Sequence, residues 1–530
     1  MEKRLTLATA AALLAVIGLL PVLAMVASSF HISGSFSLKA YQALLASSQQ
    51  YALLLGRSVL LSFLTSALAT VVGVPLGVLI GKSDLPWRGA FAVLFTVPLL
   101  IPPYLIAVAW GAIVGKGGWI SQAFPSATSD LLSAAFFGLP GCTVVLFTAF
   151  MPLVMLLTTT YVGVVNPRWE DAGRLVSRWP HVLRRITLPL ITPAILFAAV
   201  LVFLLAFGEV GVPTYLRYPV YPLEILTQFA AFYDFGAATA AAIPMLLVTL
   251  AILALEYRLL HNPILELRAV MPGATRRQIA LGHWRFAVFG TVLGWALLTV
   301  VLPLAVLLIQ SASPSAYIEA FSRASGSIVR SLAFAVIGAT ALTLLGFCCG
   351  YLIHSRALPL WRSVDALALF LFTLPGIVIG IGLVSLWNTP MTNAIYGSPA
   401  ILILGYLAQY TVLPMRITSA SLDSIPRSLE HAAQLGGASW FMSLNYILLP
   451  LAKRGLIAAW LISYVFCLRD IGISMAVYPP GSDTLPVRIL TLMANGAPSL
   501  IAALCVILIV VTLLPLGVVS FWLRHSARQS

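Results

Sequence analysis

Charged residues are scarce in this chain of 530 residues, where Asp, Glu, Lys and Arg together make up only 9%. A soluble domain has about 25% charged residues, so this composition excludes a soluble globule, a disordered chain and a fibre. A pore-type β-barrel would alternate polar and apolar residues along its strands, and the composition excludes that class as well. With 60% hydrophobic residues and a mean hydropathy of +1.01, the chain is expected to be a polytopic, all-α membrane protein.

Residue patterns that carry chemistry are also lacking. The sequence has no HExxH, no GxSxG and no His/Cys cluster with metal-ligand spacing. Gly81-Lys82-Ser83 resembles the end of a phosphate-binding loop, but Leu76 stands where that loop needs Gly, and Lys82 is expected to extend from a helix end toward water. We therefore expect no catalytic residue, no metal site and no cofactor, and a chain that is not itself an enzyme. The five cysteines are expected to be buried thiols in apolar stretches: Cys142, Cys348, Cys349, Cys467 and Cys505.

Long apolar stretches are what the sequence has in abundance. Twelve are long enough to span a membrane. They lie at about 5–29, 58–81, 89–113, 136–164, 190–208, 236–257, 286–311, 331–353, 363–387, 397–415, 455–477 and 499–523. The first is too long for the apolar part of a signal peptide, so we interpret it as an uncleaved span.

The distribution of basic residues predicts the orientation. With the N-terminus in the cytoplasm, 22 of the 30 Lys and Arg residues fall in cytoplasmic segments and 8 in external ones. This agrees with the positive-inside rule and puts both termini in the cytoplasm. The net charge of +14 then needs no nucleic-acid partner, and the expected surroundings are the lipids of a bacterial inner membrane.

The two sets of six spans look like copies of one another. Arg57–Val59 matches Arg330–Leu332 at an offset of 273 residues, and Phe95–Pro98 matches Phe372–Pro375 at an offset of 277. Because each half has an even number of spans, the two copies share one orientation and form a parallel repeat. The sequence thus predicts a first half at 1–258, a cytoplasmic linker at 259–285 and a second half at 286–530.

One amphipathic loop follows the fourth span of each half. It lies at about 165–189 in the first half and at about 418–450 in the second. The first contains Glu170–Pro189 and the second His431–Pro450, and the two segments align at an offset of 261. At that offset Trp179 matches Trp440, Ile186 matches Ile447, and Ala172 matches Ala433. Two matched loops on the same face of the membrane predict a docking surface for a cytoplasmic partner.

The spacing of these loops resembles the EAA motif of ABC-importer permeases, in which Glu-Ala-Ala is followed by Gly, Ile and Leu-Pro. In that family the loop forms a short coupling helix that enters a groove of the ATPase subunit. The resemblance implies ATPase-coupling roles for Glu170, Ala172, Trp179, Ile186, Pro189, Glu430, Ala432, Ala433, Gly437, Trp440, Ile447 and Pro450. The sequence departs from the motif where Asp171 replaces Ala, Val176 replaces Gly and His431 stands at the Glu position.

The resemblance covers essentially the whole chain, which is similar to fused double permeases of the type I ABC-importer fold. It implies two copies of a cytosolic ABC ATPase and a periplasmic solute-binding protein as partners. The pattern is closest to iron(III) permeases, with thiamine, polyamine and phosphonate permeases as alternatives. A major-facilitator-like secondary transporter is the alternative class, but it needs no paired loops and typically carries ionisable residues inside its spans.

Two acidic residues lie at equivalent places near the external ends of spans five and eleven. Glu209 and Asp470 are 261 residues apart, and each is followed by an apolar residue and then a Gly. Acidic residues at such depth are costly and often functional, so the pair is a candidate lining of the translocation path. The alternative is that both lie in interfacial water.

Overall fold

The computed structural model describes residues 2–32, 35–123, 126–260 and 278–529. Within these ranges ten helices or helix runs are long and apolar enough to cross a membrane, and twelve if two bent helix pairs each count as one span. The strands among the described residues are two short segments, His31–Ile32 and Ser35–Phe36, which pair antiparallel. The predicted all-α membrane fold is therefore confirmed.

One compact unit consists of Gln50–Tyr221 and Leu247–Pro314. Its α-helices are Ser48–Lys82, Arg88–Leu100, Pro103–Val114, Trp119–Ala123, Ser126–Phe136, Leu139–Val162, Pro167–Val176, Trp179–Val182, Leu188–Phe207, Gly211–Tyr215, Arg285–Ala296 and Leu302–Gln310. Single π-helical turns at Leu183–Thr187 and Leu297–Val301 and a 3₁₀ turn at Gly282–Trp284 join some of them.

The other unit consists of Met1–Gln49, Pro222–Leu246 and Ser315–Ser530. Its α-helices are Glu2–Leu14, Leu20–Ser28, Lys39–Ala46, Tyr221–Ala230, Pro314–Ser355, Trp361–Thr373, Gly376–Trp387, Asn393–Tyr396, Ala400–Tyr410, Val412–Asp423, Arg427–Leu435, Trp440–Ser443, Leu449–Arg469, Gly472–Val477, Leu485–Leu492 and Pro498–Gln529. Single π-helical turns lie at Ala15–Leu19 and Leu444–Leu448. The helix Phe235–Leu260 contributes residues to both units.

The first span of each predicted half packs with the body of the other half. Leu20–Ser28 lies against Gly376–Trp387, where a Cβ added to Gly382 would stand 2.9 Å from the carbonyl oxygen of Pro21. In the other unit Leu302–Gln310 packs against Pro103–Val114. The predicted halves 1–258 and 286–530 thus describe the repeat in sequence, whereas packing groups the first spans the other way. Of the predicted linker at 259–285, residues 261–277 lie outside the described residues.

The third span of each half is broken into two helices rather than continuous. Arg88–Leu100 and Trp361–Thr373 both have 13 residues, and the following helices Pro103–Val114 and Gly376–Trp387 both have 12. Pro102 and Pro375 take the N-cap position of the second helix in each pair. Proline biases the residue before it toward extended backbone, so the first helix of each pair ends there.

These helices align at a constant offset of 273 in both pairs. The offset of 277 that we derived from Phe95–Pro98 and Phe372–Pro375 is therefore wrong by four residues, about one helical turn. Phe95–Pro98 resembles Phe372–Pro375 although the two segments are one helical turn out of register. The position of the helix break in each third span gives the correct alignment of the two halves.

Glycines bring the long second span of each half close to its neighbour. A Cβ on Gly77 would lie 2.6 Å from Cβ of Thr158, and one on Gly350, 273 residues later, would lie 2.5 Å from the carbonyl oxygen of Met415. This close approach holds the ends of the helices Ser48–Lys82 and Pro314–Ser355 beside the predicted coupling loops.

Candidate functional site

Each predicted coupling loop contains a short amphipathic helix. We call Pro167–Val176 the first coupling helix and Arg427–Leu435 the second coupling helix. The first begins where the side chain of Asn166 accepts a hydrogen bond from the backbone N–H of Arg168 at 3.1 Å, with proline in the following position. Both features favour a helix start, since they suit the unpaired N–H groups there.

The two coupling helices align at an offset of 260, not 261. The helices begin at residues 167 and 427, so Glu170 is equivalent to Glu430 and Ala172 to Ala432. His431 therefore does not occupy the Glu position, and the pairing of Ala172 with Ala433 was wrong by one residue. The offset returns to 261 at Trp179 and Trp440 because the connection after the second coupling helix is longer.

A buried ion pair anchors the first coupling helix. The side chains of Glu170 and Lys82 are 1% and 6% exposed, and Nζ of Lys82 donates to Oε1 of Glu170. The hydroxyl of Thr187 donates to the same oxygen at 2.7 Å. Lys82 thus does not extend to water as expected. It ends the long helix Ser48–Lys82 and holds the coupling helix against it.

A chain of hydrogen bonds anchors the second coupling helix. The hydroxyl of Tyr351 donates to Oε1 of Glu430 at 2.7 Å and accepts from the indole N–H of Trp440 at 3.2 Å. Nζ of Lys3 lies 3.5 Å from the same carboxylate oxygen and 4.8 Å from the centre of the Tyr351 ring. Because Lys3 remains 29% exposed, this ion pair is accessible to water, unlike the pair at Glu170.

The remaining motif residues pack the loops together or face solvent. Ile186 packs on Gly173, whose added Cβ would lie 2.5 Å from Cδ1 of that isoleucine. The ring of Trp179 lies 5.1 Å from the guanidinium carbon of Arg174. Ala433 and Ile447 are half-buried, and the exposed residues are Ala172, Pro189, Ala432 and Pro450.

Gly437 makes the turn that follows the second coupling helix. Its φ of +82° lies in the left-handed region, which favours glycine. The first coupling helix ends differently, at Ser177, whose φ of −145° is extended. Gly437 is therefore needed for backbone geometry in one loop only, and Val176 stands in the other loop without strain.

Sequence reasoning missed two leucines. Leu175 is 89% exposed and Leu435 is 91% exposed, and they occupy the same position in the two coupling helices. The offset of 260 was the signal that would have revealed them, since it aligns a large apolar residue on two polar helices. Each coupling helix thus exposes a leucine almost completely at the same position, and the first also exposes Val176 (88%), while the glutamate of each helix is turned inward.

Glu209 and Asp470 both cap short helices that follow a span. Oε1 of Glu209 accepts hydrogen bonds from the backbone N–H groups of Gly211 at 3.0 Å and Val212 at 3.4 Å. Asp470 is 4% exposed and accepts from the backbone N–H and hydroxyl of Ser474 and from the hydroxyl of Tyr410, at 2.7 to 2.8 Å. These contacts explain why an acidic residue stands at each position. A role in the translocation path stays a prediction.

Known proteins similar to this chain are permeases. A Haemophilus influenzae protein described as a ferric transport system permease protein is 23% identical over 503 residues, which cover 88% of this chain and 76% of that protein. The ferric transport system permease protein of Actinobacillus pleuropneumoniae is 21% identical over 489 residues, covering 86% and 69%. A probable ABC transporter permease protein of Sinorhizobium fredii is 23% identical over 503 residues, covering 89% and 87%.

No protein-family profile matches the chain. Similarity over most of the length, together with the apolar helices, shows a multi-pass membrane transport subunit that resembles ABC permeases.

Proposed function

We propose that the chain is the membrane-spanning permease subunit of an ATP-driven ABC importer, which moves ferric iron delivered by a periplasmic binding protein into the cytoplasm. Two copies of a cytosolic ATPase dock on the two coupling helices and hydrolyse the ATP. Both termini lie on the cytoplasmic side of a bacterial inner membrane. The observation that carries this proposal is the pair of matched coupling helices, each anchored inward by a glutamate.

The exposed leucines support docking of a partner at both helices. A highly exposed leucine near the end of a polar helix suits a pocket on another protein, and a few such buried anchors supply most of the binding energy of an interface. Leu175 and Leu435 stand at the same position of each coupling helix. Equivalent positions in two copies favour two identical partner subunits.

The extent of similarity favours ferric iron as the cargo. The two ferric permeases match 86% and 88% of this chain. The spermidine/putrescine permease of Haemophilus influenzae is 26% identical over 185 residues, only 35% of this chain. A polyamine cargo is therefore the weaker candidate.

Transport by reconstituted protein tests the proposal. The chain is inserted in lipid vesicles with a cytosolic ABC ATPase and a periplasmic ferric-binding protein from the same organism, and uptake of radioactive ferric iron is followed with and without ATP. We expect uptake only with ATP and binding protein, and no competition by spermidine. Uptake driven by a proton gradient without ATP would overturn the proposal in favour of a secondary transporter.

Docking is tested by making both leucines charged. The variant L175D/L435D is expected to lose ATPase binding by at least about 30-fold for each site, because losing an interface anchor typically costs about 2 kcal/mol or more. Co-purification of the ATPase and its stimulated hydrolysis measure the loss. The control is Leu360→Asp, an exposed leucine (59%) outside both coupling loops. Equal ATPase binding by L175D/L435D and the control would contradict docking at these helices.

A further inference from the structure

Residues 278–281 of the predicted linker are hydrogen-bonded to the end of the helix Ser48–Lys82, which also anchors the first coupling helix. Residues 278–281 directly precede the first span of the second half. The backbone N–H of Ile279 donates to the carbonyl oxygen of Lys82 at 2.7 Å, and its own carbonyl accepts from the N–H of Asp84 at 3.1 Å. Ser83 and Ile279 thus form a parallel β-bridge.

A side chain closes this contact. The carboxylate of Asp84 accepts a hydrogen bond from the backbone N–H of Leu281 at 2.9 Å. Three hydrogen bonds therefore fix a four-residue segment to residues 82–84. Two segments joined by three hydrogen bonds shift less easily along one another than two segments connected only by the intervening chain.

Lys82 carries the connection on to the coupling helix. Its backbone carbonyl is bonded to Ile279, and its side chain is bonded to Glu170. The same residue thus receives the linker on one side and the coupling helix on the other. A displacement of residues 278–281 therefore moves the base of the ion pair that holds the first coupling helix.

The other unit has a contact of the same kind made by different groups. Pro21 and Pro303 and the π-helical turns Ala15–Leu19 and Leu297–Val301 align at an offset of 282, so Lys3 is equivalent to Arg285, close to the linker end. Lys3 contacts Glu430, the anchor of the second coupling helix. In both units, the residues at the start of a first span reach the anchoring glutamate or its partner.

We propose that residues 278–281 brace the first coupling helix through Lys82, so that the linker end is a positioning element of the coupling machinery. The inference rests on the proposed function, because it concerns the helix on which an ATPase docks. Asp84 is a positioning residue that acts through the linker backbone and touches neither the coupling helix nor the cargo.

The experiment measures the order of each coupling helix separately in the full chain in vesicles. Ala172→Cys and Ala432→Cys place a spin label at equivalent exposed positions of the two helices. All proteins carry Cys348→Ser, because Cys348 is the native cysteine that is not fully buried. Each label is then combined with Asp84→Ala, which removes the acceptor, or Asp84→Asn, which keeps an oxygen there.

With Asp84→Ala we expect an about fivefold rise in the mobile fraction of the label at residue 172, the size that loss of one hydrogen bond gives. The label at 432 stays unchanged, and Asp84→Asn restores most of the order. ATP hydrolysed per ion transported rises with Asp84→Ala and recovers with Asp84→Asn. An unchanged label at 172, or equal loosening at both positions, would overturn the brace.

The readout separates the two proposals. The spin labels report on the chain alone, whereas ATPase binding by the unaltered chain reports on the proposed function. A chain that binds no ATPase but shows the label response refutes the function and keeps the brace. A chain that binds ATPase but shows no label response supports the proposed function and refutes the brace.

Discussion

The two coupling helices share one motif but are anchored by different chemistry. Glu170 is held by a buried lysine, whereas Glu430 is held by a tyrosine hydroxyl and a half-exposed lysine. At the repeat offset of 273, Lys82 corresponds to Ser355 and Tyr351 corresponds to Val78, so neither unit carries the anchor of the other. Both units hold a carboxylate against the long helix, and the donor that holds it differs between them.

The difference has an energetic consequence. Removing one partner of a buried ion pair leaves an uncompensated charge and costs about 3–5 kcal/mol. An exposed ion pair contributes about 0–1 kcal/mol and a single hydrogen bond about 1 kcal/mol. The first anchor therefore depends mainly on one buried ion pair, with the hydrogen bond from Thr187 beside it, whereas the second divides its strength over several weaker contacts.

Removing the buried lysine is the strongest test of this contrast. Lys82→Met keeps the apolar stem but leaves Glu170 charged and buried. We expect the free energy of unfolding in detergent to fall by about 3–5 kcal/mol. The loss is measured by titration with sodium dodecyl sulfate, followed by tryptophan fluorescence.

The matched control neutralises the partner as well. K82M/E170Q has no buried charge at this site, so most of the lost stability is expected to return, as replacing both partners of a buried pair is often near neutral. If the double variant is as unstable as the single one, packing rather than charge explains the role of Lys82.

Removing the tyrosine hydroxyl tests the divided anchor. Tyr351→Phe deletes both the bond to Glu430 and the bond from Trp440, with an expected cost of about 2 kcal/mol. Trp440→Phe deletes only the second bond and is expected to cost about half as much. Thermal unfolding of the purified chain in detergent measures both variants. Equal losses would show that Glu430 gains nothing from the tyrosine.

The sequence predicted the motifs more reliably than their partners. The length of the apolar stretches predicted the membrane spans, and a comparison of residue letters alone revealed the two matched loops. The ion pair of Lys82 with Glu170 joins residues 88 positions apart, and local sequence predicted only a helix end for Lys82. The broken third spans and the offsets of 273 and 260 likewise depend on where helices begin, which a comparison of residue letters locates only within several residues.

The turns after the two coupling helices provide a smaller contrast. Gly437→Ala forces a side chain into left-handed backbone and is expected to cost about 1 kcal/mol, whereas the loop after Val176 needs no such residue. Gly436→Ala is the control, since φ there is −75° and the nearest atom to an added Cβ is 3.4 Å away. Hydrogen exchange of residues 427–440 measures both. Equal exchange in the two variants would contradict the need for glycine at 437.

The partly exposed Lys3 is expected to matter least, and the salt dependence of its ion pair distinguishes it from Lys82. Lys3→Ala removes an ion pair that is 29% and 12% exposed, so the expected loss of stability is below about 1 kcal/mol. Because water and ions reach this pair, the difference between Lys3→Ala and the unaltered chain should shrink as salt rises from 0.05 to about 0.5 M. The loss in Lys82→Met should persist in the same salt series, because its pair is buried.

The measurement is thermal unfolding in detergent at each salt concentration. A Lys3→Ala loss as large and as salt-insensitive as that of Lys82→Met would mean that both anchors are single buried charges, and that the two coupling helices are held alike.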